Sequence, residues 1–220
     1  MKRILLASVA MMVLAVAAQP VVAAETGAVL SSAYNLTGFY VGIEGGGGWG
    51  RSRQTDTNGT TSGSYSVNGG LAGGTVGFNW QIGPAGLLGV ESDVSWTNID
   101  GSTRPAVCSG SCFTKLQWLG TARPRLGVAI LGRFVPYLTG GFAFGDIRAG
   151  QTGIDSFSHT KIRTGWTVGG GLEAMISSNW SIKGEYLFVD LGNSENYKVA
   201  IPVKVDYHTN ILRLGVNYRF

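Results

Sequence analysis

The chain has 220 residues, enough for one domain or two small ones, and it is 44% hydrophobic but only 14% charged. Its 35 glycines argue against long helices, because each glycine inside a helix costs up to about 1 kcal/mol relative to alanine. The formal net charge of +4 does not indicate a nucleic-acid partner, since no basic run occurs in the sequence.

Residues 1–24 have the pattern of a secretory signal peptide. A basic start precedes an apolar run over residues 4–18, and small residues lead up to Ala24 as they do at a cleavage site. A transmembrane anchor is the alternative, but the run is shorter than the roughly 20 residues that a spanning helix needs. We therefore expect Sec-type export with cleavage near Ala24, which leaves 15 basic against 13 acidic residues.

Alternation with a period of two dominates the rest of the sequence and is typical of β-strands. In the first stretch, Phe39, Val41 and Ile43 alternate with polar residues or glycine. The eight predicted strands are GFYVGIEGGGGW, GGTVGFNWQ, LLGVESDVSW, LQWLGTARPRLGV, FVPYLTGGFAFG, GWTVGGGLEAMI, WSIKGEYLF and NILRLGVNYRF. In the fourth we place Leu116 on the apolar side, and Pro124 favours a bulge or local break because proline cannot donate to the ladder.

The connections between the predicted strands alternate in length. Short links occupy 82–86, 131–133 and 177–179. Long polar segments, predicted as loops, cover 51–67, 99–114, 147–162 and 192–206. Short periplasmic turns and long extracellular loops are typical of outer-membrane barrels. We therefore predict an all-β, eight-stranded, antiparallel up-and-down transmembrane β-barrel over residues 38–220, preceded by a short periplasmic lead at 25–37.

Alternation alone does not decide which face meets lipid, since a soluble barrel such as a lipocalin turns its apolar face inward. The polar face here is unusually rich in glycine, which suits the narrow lumen of an eight-stranded barrel. Its five carboxylates and four cations would neutralise one another inside such a lumen. The predicted lumen charge network is Glu44, Glu91, Asp93, Arg123, Arg125, Glu173, Lys183, Glu185 and Arg213. The alternative is a solvated surface with scattered charges of both signs.

The aromatic residues of the apolar set lie mostly near strand ends, as the girdles at the two membrane interfaces do. They are Phe39, Trp49, Trp80, Trp96, Trp118, Trp166, Trp180, Tyr218 and Phe220. In a soluble barrel they would be core residues. Together with the predicted export and the asymmetry of the connections, they favour contact with outer-membrane lipid.

The two cysteines, Cys108 and Cys112, lie in one of the predicted long loops. In an exported protein such a pair most simply forms a disulfide. A metal site is the alternative, but neither a histidine nor a further cysteine lies nearby in the sequence. We therefore predict a Cys108–Cys112 disulfide and no metal site.

The segment GWTVGGGLEAMISSNWSIKGEYLFVDLG, at 165–192, resembles the signature hairpin of the alphaproteobacterial outer-membrane immunogenic protein family. GFYVGIEGGGGWG, WLGTARPRLG and the closing LRLGVNYRF are similar to the same family, so the resemblance covers nearly the whole mature chain. It implies a small OmpA-type barrel of eight strands in the outer membrane, described as porin-like and surface-antigenic. Some relatives are described as binding haemin.

Enzymatic activity is not expected, because GxSxG, HExxH and phosphate-loop motifs do not occur in the sequence. Haemin binding is an alternative function, in which His159 or His208 would ligate the iron. Basic residues such as Arg148, Lys161 and Lys204 would then lie near the propionates. Two ordinary solvated histidines are the simpler interpretation, so we expect no cofactor.

A small-solute porin is the other alternative, but the interior of an eight-stranded barrel holds packed side chains rather than an open channel. We therefore predict a charged, mostly closed lumen. The expected role is non-enzymatic: envelope integrity, and surface interaction with an unidentified extracellular ligand.

The last predicted strand places Leu214, Val216, Tyr218 and Phe220 on the lipid side. A final phenylalanine after alternating apolar residues resembles the C-terminal signal that is recognised during assembly of outer-membrane barrels. We therefore expect the barrel-assembly machinery to be a partner through this strand.

Overall fold

A computed structural model describes residues 34–56, 59, 61–104, 110–152, 157–197 and 203–220. The predicted signal peptide and most of the predicted lead lie outside these residues. The eight strands are β1 (Gly38–Asp56), β2 (Thr61–Ile82), β3 (Gly86–Thr103), β4 (Cys112–Val128), β5 (Phe134–Gln151), β6 (Phe157–Met175), β7 (Trp180–Tyr197) and β8 (Val203–Arg219). Within the described part of the chain, no helix has the length and apolar character needed to cross a bilayer.

Each strand pairs in antiparallel fashion with the next, and β8 pairs with β1 to close the barrel. Closure gives every strand two neighbours, so the sheet has no free edge. That is the condition under which strands can sit in hydrocarbon, where unpaired backbone groups have no water to bind. The predicted eight-stranded up-and-down barrel is confirmed.

One end of the barrel, called here the turn end, carries the short links predicted from the sequence. They join Ile82 to Gly86, Val128 to Phe134, and Met175 to Trp180. Gly83 has a φ of 64°, in the left-handed region that glycine adopts without steric cost. The tight turns therefore lie where the sequence predicts them.

The opposite end, called here the loop end, differs from the prediction. The segments predicted as long loops are mostly strand, because β1 continues to Asp56 and β2 resumes at Thr61. The interior of this extension is polar but packed: the Gln54 amide nitrogen donates to the Tyr65 hydroxyl over 3.0 Å, and Tyr65 bonds to Thr114 over 2.6 Å. Polar composition did not distinguish these strands from loops, because hydrogen bonds between buried polar side chains can replace apolar contacts inside a barrel wall.

The outer surface between the two ends is apolar, as predicted for a lipid-facing band. Ile43, Phe142 and Leu214 are 73%, 76% and 70% exposed, whereas Glu44 and Arg213 on the other face are 5% and 2% exposed. A soluble barrel would show the reverse arrangement. The apolar face therefore points outward and the charged face inward.

Aromatic side chains form two belts around this band. At the turn end, Phe39 packs on Phe78 with ring centroids 4.5 Å apart, and Trp180 packs on Tyr218 at 5.1 Å. At the loop end, Trp49 lies 6.5 Å from Tyr186, and other pairs include Trp166 with Phe188. Trp49 lies ten positions after Phe39 on β1. At about 3.4 Å per residue and a tilt of about 40°, this matches an apolar band roughly 25 Å tall.

The prediction was wrong for Leu116, which is fully buried in the interior rather than on the apolar outer face. A bulge between Leu116 and Trp118 inserts one residue into the pairing with β5, so the alternation reverses there. Pro124, where a bulge or break was expected, is skipped in the β4–β5 pairing, but the register is the same on both sides of it.

We predict that two adjacent glycines of β2 respond differently to substitution by valine. A Cβ on inward-facing Gly73 would lie 2.6 Å from the Ser95 Cα, whereas one on outward-facing Gly74 would have its nearest neighbour at 3.6 Å. Gly73→Val should cost roughly 1–3 kcal/mol through overpacking. The measurement is the temperature at which the heat-dependent shift in gel mobility occurs. Gly74→Val is the matched control, and equal behaviour of the two variants would contradict the assigned faces.

Candidate functional site

The lumen brings together all nine charged residues of the predicted network. They project inward from β1, β3, β4, β6, β7 and β8, because alternate residues of each strand point to the same face. Every one of them is at most 5% exposed. Charges removed from water to this degree require partners, and the network supplies them.

Arg213 lies at the centre of the network. Its Nη1 and Nη2 each donate to a different oxygen of Asp93 over 3.0 Å, and its Nε donates to Glu185 over 2.8 Å. Nη1 also pairs with Glu44. One guanidinium thus binds carboxylates from β1, β3 and β7, and it holds these walls of the barrel at fixed distances from one another.

Arg123 and Lys183 link the same carboxylates from other directions. Arg123 donates to Glu91 and Asp93 over 2.9 Å and to Glu185 over 3.0 Å. Lys183 lies 2.8 Å from the Glu91 carboxylate. Several carboxylates are therefore each shared by two cations, and removal of one cation leaves others nearby.

Arg125 extends the network toward the turn end through a 2.6 Å contact with Glu173. Two tyrosines complete it: the Tyr40 hydroxyl donates to Glu91 over 2.7 Å, and the Tyr137 hydroxyl donates to Glu185 over 3.0 Å. The Arg125 guanidinium carbon also lies 4.0 Å from the Tyr137 ring centroid. The sequence analysis did not include either tyrosine in the network.

Glycines on the inner face make room for these tyrosines. A Cβ on Gly171 would lie 2.7 Å from the Tyr137 hydroxyl oxygen, and one on Gly77 would lie 2.7 Å from a ring carbon of Tyr40. The large rings therefore fill space that the opposing positions leave empty. This is the physical reason for two of the glycines on the polar face, Gly77 and Gly171.

Two buried arginines were missed by the sequence analysis. Arg219 is 5% exposed near the turn end, where its Nη1 donates to the Asn35 carbonyl over 3.0 Å. Arg163 is 2% exposed near the loop end and donates to the Val205 carbonyl over 2.6 Å. Arg219 follows Arg213 by an even number of residues, so the period of two could have placed it inside.

An apolar cluster, with the buried Arg163 at its level, fills the lumen on the loop-end side of the network. Its members are Tyr65, Val67, Leu71, Ile99, Leu116, Leu119, Ala143, Ile147, Leu187, Val189, Leu191, Tyr207 and Ile211. All are at most 8% exposed. The ion pairs of the network therefore occupy one section of the barrel, and apolar side chains fill most of the next.

Residues of the lead close the other side of the network, at the turn end. Leu36 is fully buried, and its backbone nitrogen donates to the Gln81 side chain over 2.9 Å. It packs with Leu87, Ala129, Val135 and Met175. We call residues 34–37 the plug. The network thus lies between an apolar cluster on one side and the plug on the other.

The two histidines are not brought together. His208 on β8 is level with Asp190 on β7 and Trp166 on β6, and its ring lies 6.2 Å from that of Phe188. His159 on β6 is seven residues farther toward the loop end, roughly 23 Å along the strand. A single iron cannot bind both. Haemin ligation by either one alone remains a prediction.

The other predicted sites are only partly described. Cys112 is buried at the start of β4, but Cys108 lies outside the described residues, so their disulfide remains a prediction. Leu214, Val216 and Phe220 are exposed on the outer face, and Tyr218 lies in the turn-end belt. Their role in assembly also remains a prediction. Among the described residues, no group of three or more histidine, cysteine or acidic side chains has the arrangement of a metal site.

Comparison with known proteins identifies the family. Residues 6–220 match the family model described as outer membrane protein beta-barrel domain. The chain belongs to this family. It is 37% identical, with both chains fully covered, to the 31 kDa outer-membrane immunogenic protein of Brucella melitensis. The predicted family resemblance is thereby confirmed, and the protein is an outer-membrane β-barrel.

Other relatives agree with this membership. The 25 kDa outer-membrane immunogenic protein of Brucella abortus is 32% identical over 188 residues, which cover 85% of this chain and 80% of that one. Among solved structures, the outer membrane protein OprG from Pseudomonas aeruginosa has a TM-score of 0.54 at 13% identity, with 86% of this chain and 99% of that chain covered. At this identity the similarity concerns the fold alone.

We predict that Arg213→Ala destabilises the barrel by roughly 3–5 kcal/mol, because it leaves three cations to neutralise the five buried carboxylates of the network. The temperature of the heat-dependent mobility shift should fall. Arg51→Ala is the matched control: Arg51 is exposed on the outer face of β1, and its loss should change stability by less than about 0.5 kcal/mol. An unchanged transition in Arg213→Ala would mean that the network does not hold the barrel together.

Proposed function

We propose that this barrel is a non-enzymatic, non-conducting outer-membrane protein that contributes to envelope integrity and presents its loop end to the cell surface. The observation that carries the proposal is the filling of the lumen over its length. The charge network, the apolar cluster and the plug occupy successive sections of the interior. Such a barrel supplies a rigid, sealed wall rather than a path for solutes.

The orientation follows the rule that outer-membrane barrels keep short turns in the periplasm and longer connections outside. The turn end is then periplasmic, and the plug closes the periplasmic mouth. The loop end, where β1 runs seven residues beyond Trp49, projects from the membrane. Surface interactions of the protein would be made by this extension, and its extracellular ligand is a matter for experiment.

Envelope integrity would come from the two faces of the wall acting together. The outer face holds the protein in lipid through its exposed apolar side chains, among them Leu138 and Phe142. The inner face resists lateral compression, because each central cation is bonded to carboxylates on several strands. The names of the Brucella relatives, which describe outer-membrane immunogenic proteins, are consistent with a surface-exposed part.

The outer face of β8 would serve assembly as well as lipid contact. Leu214, Val216, Tyr218 and Phe220 alternate along the strand that pairs with β1 to close the barrel. We propose that the barrel-assembly machinery recognises this apolar row before closure, when the edge of β8 is still unpaired.

Conductance distinguishes the proposed role from that of a small-solute porin. In planar bilayers the refolded protein should give no steady openings, because buried side chains occupy the lumen. Folding is verified by the heat-dependent mobility shift on the same sample, and a larger porin reconstituted in parallel gives the positive signal. Steady openings of nanosiemens scale would overturn the proposal in favour of the porin.

Deletion of the gene should make cells more sensitive to detergents and bile salts if the barrel supports the envelope. Plasmid-borne wild-type protein should restore resistance, and so should the exposed-site variant Arg51→Ala. Arg213→Ala should restore it less well at elevated temperature, because its barrel is less stable. Unchanged sensitivity of the deletion strain would contradict the role in envelope integrity.

A further inference from the structure

An apolar groove of about 790 Å³ lies on the lipid-facing surface, in the half of the band nearer the turn end. One wall is a row of outward side chains that follows the hydrogen-bonding direction from β5 to β1. In order, the row is Phe134, Ala174, Ile182, Val216 and Ile43, each directly paired with the next. It crosses four strand spacings, or about 19 Å.

The second wall is the next outward row, made by Leu172, Gly184, Leu214 and Gly45. The two glycines widen the groove, because they place no side chain on the surface. Packing does not demand glycine at either position: a Cβ on Gly184 would have its nearest neighbour at 3.4 Å, and one on Gly45 at 3.6 Å. The open space is therefore a feature of the outer face and is not imposed by the barrel wall.

The groove begins at the membrane interface and descends into the hydrocarbon region. Phe134 is the first residue of β5, immediately after a turn-end link. Ile43 lies four residues beyond Phe39 of the turn-end belt, about 13 Å along the strand. The acyl chains of one leaflet span about 15 Å. A chain that entered at Phe134 would run along the groove with its tail in the membrane interior.

A cation stands at the interfacial end. Arg133 is exposed, and its guanidinium carbon lies 6.0 Å from the Phe134 ring centroid. Its backbone carbonyl accepts from Met175, which brings the β6–β7 link, residues 176–179, alongside. The sequence of that link, Ile-Ser-Ser-Asn, contains no acidic residue to neutralise the arginine. An exposed guanidinium at this depth is suited to bind a lipid phosphate.

We propose that the groove binds one anionic phospholipid of the surrounding leaflet, with an acyl chain between the two rows and the phosphate at Arg133. The groove is continuous with the lipid-facing band, and its lining is chiefly aliphatic side chains and glycine. A second copy of the barrel is a poorer occupant, because twelve residues line the groove, whereas a stable interface uses about 20–30 residues a side.

Native mass spectrometry of the detergent-purified barrel with dioleoylphosphatidylglycerol tests the site. The wild-type protein should retain one lipid after detergent removal, and Gly184→Leu should lose it because the added side chain fills the groove. Gly47→Leu is the matched control: it adds the same side chain to the outer face of β1, outside the groove, where a Cβ has its nearest neighbour at 3.6 Å. It should retain the lipid.

Folding of each variant is checked by the heat-dependent mobility shift, and Gly45→Leu fills the other end of the groove should Gly184→Leu fail to fold. Arg133→Gln should remove the preference for dioleoylphosphatidylglycerol over dioleoylglycerol, which lacks the phosphate. Equal retention in wild type and in a folded groove-filling variant would overturn the site. If the wild-type protein gives a dimer peak and Gly184→Leu does not, the groove binds a second copy of the barrel instead.

Discussion

Neutralisation of buried charge is the constraint on which the rest of this barrel depends. The five carboxylates and four cations of the network are buried in the lumen, and the cost of their desolvation is offset only when each meets its partners across the barrel. Arg213 can bond to Glu44, Asp93 and Glu185 only if the strands that carry them stand at one set of separations. The ion pairs therefore set the cross-section, and the glycines and tyrosines of the inner face fit the space that remains.

The sections on either side of the network strengthen it. The apolar cluster toward the loop end and the plug toward the turn end exclude solvent, which lowers the effective dielectric around the ion pairs. The same exclusion makes an unpaired charge there expensive. Exclusion of solvent from the lumen and pairing of its charges thus depend on each other. A barrel with an open lumen would lack both.

Much of this architecture follows from a period of two, because alternation fixes the face of a residue without reference to the rest of the fold. That is why all nine lumen charges could be named from the sequence. The prediction failed at Leu116, where a bulge adds one residue to the count, and at the loop end, where polar strands resemble loops in composition. It could not assign the partners of Tyr40 and Tyr137, because those contacts depend on distances across the barrel. The lipid-facing groove could not be predicted from the sequence either. It depends on Gly45 of β1 and Gly184 of β7, which are far apart in sequence, lying at the same height on the barrel wall.

The extension of the strands beyond the loop-end belt determines how this surface can vary and be recognised. Alternate residues there, such as Ser52 and Gln54, are buried, so substitutions are tolerated mainly at the positions between them and at the strand tips. A bound antibody or receptor would meet side chains contributed by neighbouring strands, such as Arg51 of β1 beside Ser66 of β2. Its epitope is discontinuous in sequence, and a short peptide copied from one strand would not reproduce it.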